Sequence, residues 1–109
     1  MDTEPVSLDD LREKIRRFSA ERDWEQFHSP KNLVMALSVE VSELVEHFQW
    51  LKENESERSD LSAATIAEVE EEVGDVFNYL LQLCDRLDID PVAACSRKLT
   101  KNAAKYPVA

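Results

Sequence analysis

One glycine and four prolines in 109 residues leave little material for tight turns, and no stretch alternates polar and apolar residues long enough to read as a strand. Sheet architectures are thereby excluded. Cysteine is nearly absent too: Cys84 and Cys95 are too few and too poorly spaced for a disulfide framework or a zinc site, and both fall within helical pattern as reduced thiols. Basic residues are scarce. Thirteen Lys and Arg stand against 23 Asp and Glu, a net charge of −10, so no positive field exists to attract a nucleic-acid backbone. No apolar run approaches a membrane span, and the start, Met1 to Pro5, is acidic where a secretory signal is basic and then apolar. The expectation is a cytoplasmic chain without nucleic-acid or membrane partners. Phosphorylated small molecules remain admissible, because bound cations can neutralise their charge locally.

What is present is helix punctuation. The length suits one domain over residues 1–109 with a modest core. Ser7 with Asp10 reads as a capping box opening a first helix to about Asp23. After a connector, Trp24 to His28, the Ser29-Pro30 pair starts a second helix to about Lys52. Glu53 to Ser59 is a polar loop. Asp60 or Ser62 caps a third helix to about Leu87, and Asp90-Pro91 starts a fourth that ends before Pro107. The predicted class is all-α and four-helix bundle-like. On the second helix Val34, Val39 and Val45 lie outside the main apolar stripe. Either another subunit covers them, making a symmetric oligomer, or the first and fourth helices of the same chain do.

Acid-x-x-acid pairs occur seven times, so spacing alone identifies nothing. Phase separates two of them from the rest. At about 100° per residue, Leu33, Leu37, Val41, Leu44, Phe48 and Leu51 cluster on one side of the second helix, with Glu40 and Glu43 at the margin. Val69, Val76, Leu80, Leu83 and Leu87 form the stripe of the third, with Glu72 and Asp75 at the same margin. Antiparallel packing of the two stripes makes the four carboxylates converge. Asp10/Glu13, Glu57/Asp60 and Asp85/Asp88 lack this relation and read as solvated charge, which is also the ordinary alternative for the two singled out. Converging carboxylates repel unless they share a hard cation, and without Cys or His alongside they suit Mg²⁺ or Mn²⁺ over zinc. A ferritin-like di-iron site needs Glu-x-x-His twice; the chain has it once, at Glu25/His28 in the connector.

Aromatic residues gather near this margin. Trp50 follows Glu43 by seven residues and Tyr79 follows Asp75 by four, while Trp24, Phe27 and His28 crowd the connector. Each taken alone reads equally as core; as a group they can stack a planar base. On the fourth helix Lys98, Lys101, Asn102 and Lys105 share a face. They can receive phosphate oxygens, or simply complement the helix dipole at its C-terminus.

These residues resemble the MazG-like branch of the all-α nucleoside triphosphate pyrophosphohydrolases, in particular the type acting on dCTP. The motif Glu-x-x-Glu, spacer, Glu-x-x-Asp is here Glu40-Val41-Ser42-Glu43 and Glu72-Val73-Gly74-Asp75. Arg22-Asp23-Trp24-Glu25-Gln26-Phe27-His28 through Phe48-Gln49-Trp50, and Lys101-Asn102 with Lys105-Tyr106-Pro107, are similar as well, so the likeness runs nearly from Leu8 to the end. The resemblance implies hydrolysis of a nucleoside triphosphate to monophosphate and pyrophosphate, with Mg²⁺ on Glu40, Glu43, Glu72 and Asp75. It implies a base pocket from Trp24, Phe27, His28, Trp50 and Tyr79, and phosphate or sugar contacts from Lys98, Lys101 and Asn102. Members are dimers or tetramers with sites between subunits. Some carry a first-helix histidine near the base pocket where this chain has Ile15. Glu68 and Glu71 are spare carboxylates able to orient a water. The alternative is a non-catalytic helical module that binds nucleotides or partners and holds metal structurally.

Overall fold

A computed structural model of the chain describes residues 7–109; the acidic start, Met1 to Pro5, lies outside the described residues. Four α-helices follow one another without a strand among the described residues: α1 (Leu8–Glu21), α2 (Pro30–Glu46), α3 (Ala63–Arg86) and α4 (Pro91–Lys105). Each begins where its cap lies. The Ser7, Ser29 and Ser62 hydroxyls accept from the amides of Asp10, Asn32 and Thr65, and Asp90 accepts from Val92 and Ala93. Pro30 and Pro91 occupy first-turn positions, where the missing amide hydrogen costs nothing.

The helix ends are less conventional. α1 and α3 both close with paired bonds, Trp24 N to Ser19 O with Asp23 N to Ala20 O, and Ile89 N to Cys84 O with Asp88 N to Asp85 O. That arrangement needs a left-handed residue, ordinarily glycine. Here Asp23 (φ 56°) and Asp88 (φ 53°) take it, in a chain whose single glycine, Gly74, lies inside α3. α2 stops at Glu46, short of Lys52. Its apolar stripe continues through Phe48 and Leu51, but as turns bonded three residues apart, His47 N to Leu44 O and Leu51 N to Phe48 O. Over so few residues a three-residue and a 3.6-residue period are indistinguishable in sequence. The expected polar loop contains two short 3₁₀ turns, Glu53–Glu55 and Arg58–Asp60.

α2 and α3 make the main packing of the chain, α1 lies against α3, and α4 has no comparable partner among the described residues. Only Leu33, Leu81, Cys84 and Ser19 are buried among them. The radius of gyration is 16.8 Å, against about 13 Å for a compact domain of this length. The accessible surface is 8697 Å², against about 6,200 Å² for a folded monomer of similar size. Val34, Val39 and Val45 are 48%, 56% and 51% exposed. The chain's own α1 and α4 therefore do not cover them, and Val73, Phe77, Leu80, Val92 and Leu99 add to the bare apolar surface.

Candidate functional site

The α2–α3 pairing carries the acidic margins of both helices to one place. Glu40, Glu43 and Glu72, all half-buried, each offer an oxygen within 4.8 Å of the others. Asp75, one turn along α3, is exposed and stands outside that trio, but its charge still raises the proton affinity of Glu40 and Glu72. Glu40 Oε2 and Glu72 Oε2 are fully enclosed and have no hydrogen-bond partner. An enclosed, unpaired carboxylate oxygen is unfavourable unless something positive meets it.

A small hard cation fits this requirement. The three carboxylates are oxygen donors alone, the ligand type that such a cation takes. Without a cation, Glu40 and Glu72 bind protons more tightly than ordinary carboxylates. Burial first, then Glu43, pushes the Glu40 carboxyl up to about 7, and burial with the Glu43 charge raises Glu72.

A pH test follows. Glu40 binds its proton more tightly folded than unfolded, so its contribution to metal-free stability is present below about 4.5 and is lost as pH rises through about 7. Asp85 is shifted the other way, chiefly by its bond to Arg16, so its contribution changes only below the ordinary 3.8 and does not overlap. In EDTA the melting temperature should fall between roughly pH 5 and pH 8, and saturating Mg²⁺ should reverse the slope. Glu40→Gln should flatten the EDTA profile; an unchanged profile would show the cluster is not the cause.

Beyond the acids, ring edges form a chain: Phe18 meets Trp24 at 5.6 Å between centroids, Trp24 meets His28 at 6.3 Å and His28 meets Tyr79 at 6.4 Å, all edge to face. The structure thus joins Trp24, His28 and Tyr79 one turn from Asp75. It leaves Phe27 60% exposed on the connector and Trp50 87% exposed in the turns after α2. Lys98 and Lys101 are exposed and Asn102 half-buried on α4, the helix that stands off from the acid-bearing pair.

One cluster was invisible in sequence. A cavity of about 190 Å³ lies between α1, the connector and α3, lined by Arg12, Ile15, Ser19, His28, Gln82 and Asp85 among others. The Asp85/Asp88 pair reads in sequence as solvated charge, and for Asp85 this needs correction. Asp85 receives Arg16 through Nη2 at 2.7 Å and Nε at 2.9 and 3.1 Å, with Arg12 Nη2 at 3.5 Å. These bonds also pin α1 to α3, which approach each other far less extensively than α2 and α3 do. Arg12 and Arg16 sharing an α1 face was the available signal; their partner, 73 residues from Arg12 and 69 from Arg16, was not. Arg86 donates to the backbone oxygen of Glu25 and so fastens the connector. Glu68, a spare carboxylate, stands 3.6 Å from His47 Nδ1, while Glu71 is exposed.

Residues 35–109 match the model of the MazG-like family. The chain is 42% identical over 106 residues to dCTP pyrophosphatase 1 of Bos taurus, covering 97% of this chain and 62% of that protein. It is 43% identical over 101 residues to dCTP pyrophosphatase 1 of Homo sapiens, covering 93% and 59%. It thus spans about three-fifths of the length of these curated relatives. The crystal structure of a pyrophosphatase from Archaeoglobus fulgidus superposes with a TM-score of 0.86 at 41% identity, covering 99% of both chains. Among the described residues, no helix is long and apolar enough to cross a membrane.

Proposed function

The chain belongs to the MazG-like family, and from that premise we propose that it is a divalent-cation-dependent nucleoside triphosphate pyrophosphohydrolase. Its substrate is dCTP or a related pyrimidine deoxynucleoside triphosphate, cleaved with one water to the monophosphate and pyrophosphate. The observation that carries this reading is the trio Glu40, Glu43 and Glu72, with two enclosed oxygens left unpaired. The name printed for the curated relatives supports the substrate class.

In this reading Glu40, Glu43, Glu72 and Asp75 hold the cation, which when bound offsets phosphate charge and acidifies a water. Mg²⁺ is the expected ion, with Mn²⁺ able to substitute. Tyr79 on α3 and His28 on the connector lead from the acids towards Trp24, so a base can lie against these rings while its phosphates reach the carboxylates. Lys98, Lys101 and Asn102 meet phosphates or sugar from a second copy, because α4 stands off from its own α2 and α3. Phe27 and Trp50, exposed on one chain, join the base pocket in the assembled protein. A homodimer or homotetramer also covers the bare valines of α2. The unpaired Cys84 and Cys95 suit a reducing compartment such as the cytoplasm. The work of such an enzyme is removal of surplus or modified deoxynucleotides from the pool.

Incubation with dCTP and Mg²⁺ should release dCMP and pyrophosphate in equal amounts, read by ion-exchange chromatography. Release of single phosphate would exclude this cleavage. Tight dCTP binding without turnover in either Mg²⁺ or Mn²⁺ would instead indicate a binding module.

A further inference from the structure

α1 reaches α3 with little apolar help. Leu8, Leu11 and Ile15 are only half-buried, Phe18 is 45% exposed, and Ser19 is the one buried residue of the helix. So little buried apolar surface leaves the approach weakly determined by the hydrophobic effect. Directed bonds fix it instead. Asp85 receives Arg16 through Nη2 and Nε and Arg12 through its Nη2, while Glu13 steadies Arg16 from within α1. A planar guanidinium held at two nitrogens by one carboxylate has one preferred orientation, which an ammonium would not impose.

The end of α1 is joined stiffly to the connector. Trp24 N bonds to Ser19 O, Arg22 lies 3.6 Å over the Phe18 ring and donates to the Phe18 carbonyl, and Gln26 donates to the carbonyl and carboxylate of Asp23. The ring chain then runs from Phe18 on α1 through Trp24 and His28 to Tyr79 on α3. Tyr79 precedes Asp85 on α3 by about 9 Å of helix. α1 and the connector therefore meet α3 at two joined points, and slack at the charged one moves the rings. Asp75 is about 15 Å from Asp85 along the same helix, so the acid cluster lies beyond this clasp. We infer that Asp85 is a positioning residue for nucleotide binding: by gripping Arg16 and Arg12 it holds α1, and with it Trp24 and His28, in place against Tyr79. The inference rests on the nucleoside triphosphate reading above, and Asp85 acts through α1 without touching cation or phosphate. A ligand that needs the docked rings binds more weakly in proportion to the docked fraction lost.

Asp85→Asn keeps the shape of the side chain and removes its charge. Its KM for dCTP should rise about fivefold while kcat changes by less than about twofold, the size expected for partly exposed charge pairs. Calorimetry in Mg²⁺ should show the same weakening for dCMP and none for pyrophosphate, which has no base to meet the rings. Arg16→Gln should raise KM by a smaller factor, because Arg12 stays on Asp85, and should add nothing further in an Asp85→Asn background. An unchanged KM in Asp85→Asn overturns the assignment. So does equal weakening of dCMP and pyrophosphate, or two substitutions whose effects multiply as independent ones do. Should Asp85→Asn fail to fold, Arg16→Gln, at an exposed position, decides by the same dCMP and pyrophosphate comparison. If dCTP is not cleaved at all, the functional reading fails. Near-UV circular dichroism of the coupled rings then decides the clasp separately: a weakened signal in Asp85→Asn upholds it, and an unchanged one sinks it.

Discussion

Glu43→Gln should abolish dCTP cleavage, lowering kcat/KM by on the order of 10³-fold or more, about 4 kcal/mol of lost transition-state stabilisation. The same change should leave the metal-free fold as stable as before or more so. Glu43 is the largest charged neighbour raising both Glu40 and Glu72, and an amide removes that repulsion. Opposite signs on activity and stability distinguish this from simple damage, since a misfolded variant loses both. Circular dichroism and size-exclusion profiles should match wild type, and Mg²⁺ should no longer raise the melting temperature. Full activity in Glu43→Gln would end the proposal that these acids carry the reaction. If α4 serves a neighbouring copy, mixing Glu43→Gln chains with Lys98→Ala/Lys101→Ala chains and reassembling them should recover part of the activity. Each mixed pair contains one site with all its acids and both lysines. No recovery would place the lysines elsewhere.

Leu33→Ala should cost about 3 kcal/mol, a large part of the stability of so small a chain. Leu33 is 1% exposed, and with Leu81 it is one of two side chains enclosed almost completely. It lies on the α2 face turned to α3, the packing that also brings Glu40 and Glu43 against Glu72. Loss of its methyl groups should therefore weaken Mg²⁺ binding along with the fold, measured by urea titration with and without the ion at one protein concentration. Val39→Ala is the companion. At 56% exposed on an isolated chain it should cost less than about 0.5 kcal/mol, and more than about 1 kcal/mol if a second copy seats there. Near-neutral Leu33→Ala would mean that the α2–α3 contact is not what holds the site.

Helix starts were legible because a cap is a local device. Ser7, Ser29-Pro30, Ser62 and Asp90-Pro91 satisfy amides within three residues of themselves, and no distant contact competes. The margin positions of Glu40, Glu43 and Glu72 were legible for a related reason. An apolar stripe points to the partner helix, and residues beside it must lie near that partner. Helix ends were harder. Asp23 and Asp88 adopt a backbone conformation that sequence assigns to glycine, and the tail of α2 tightens without any marker residue.

Amino-acid order by itself determined the four helices, the margin positions of the three acids that meet and the family likeness, because each depends on spacing along one rod or on two rods packed stripe to stripe. Tertiary structure alone decided that Asp85 holds Arg12 and Arg16, that Trp50 stands free in one chain, and that a cavity opens beside His28. Those facts depend on where α1 and α4 settle relative to the α2–α3 pair. α1 is set by a handful of long-range charged bonds, and α4 by little within its own chain. Neither placement has a period, and periodicity is the signal that a sequence carries.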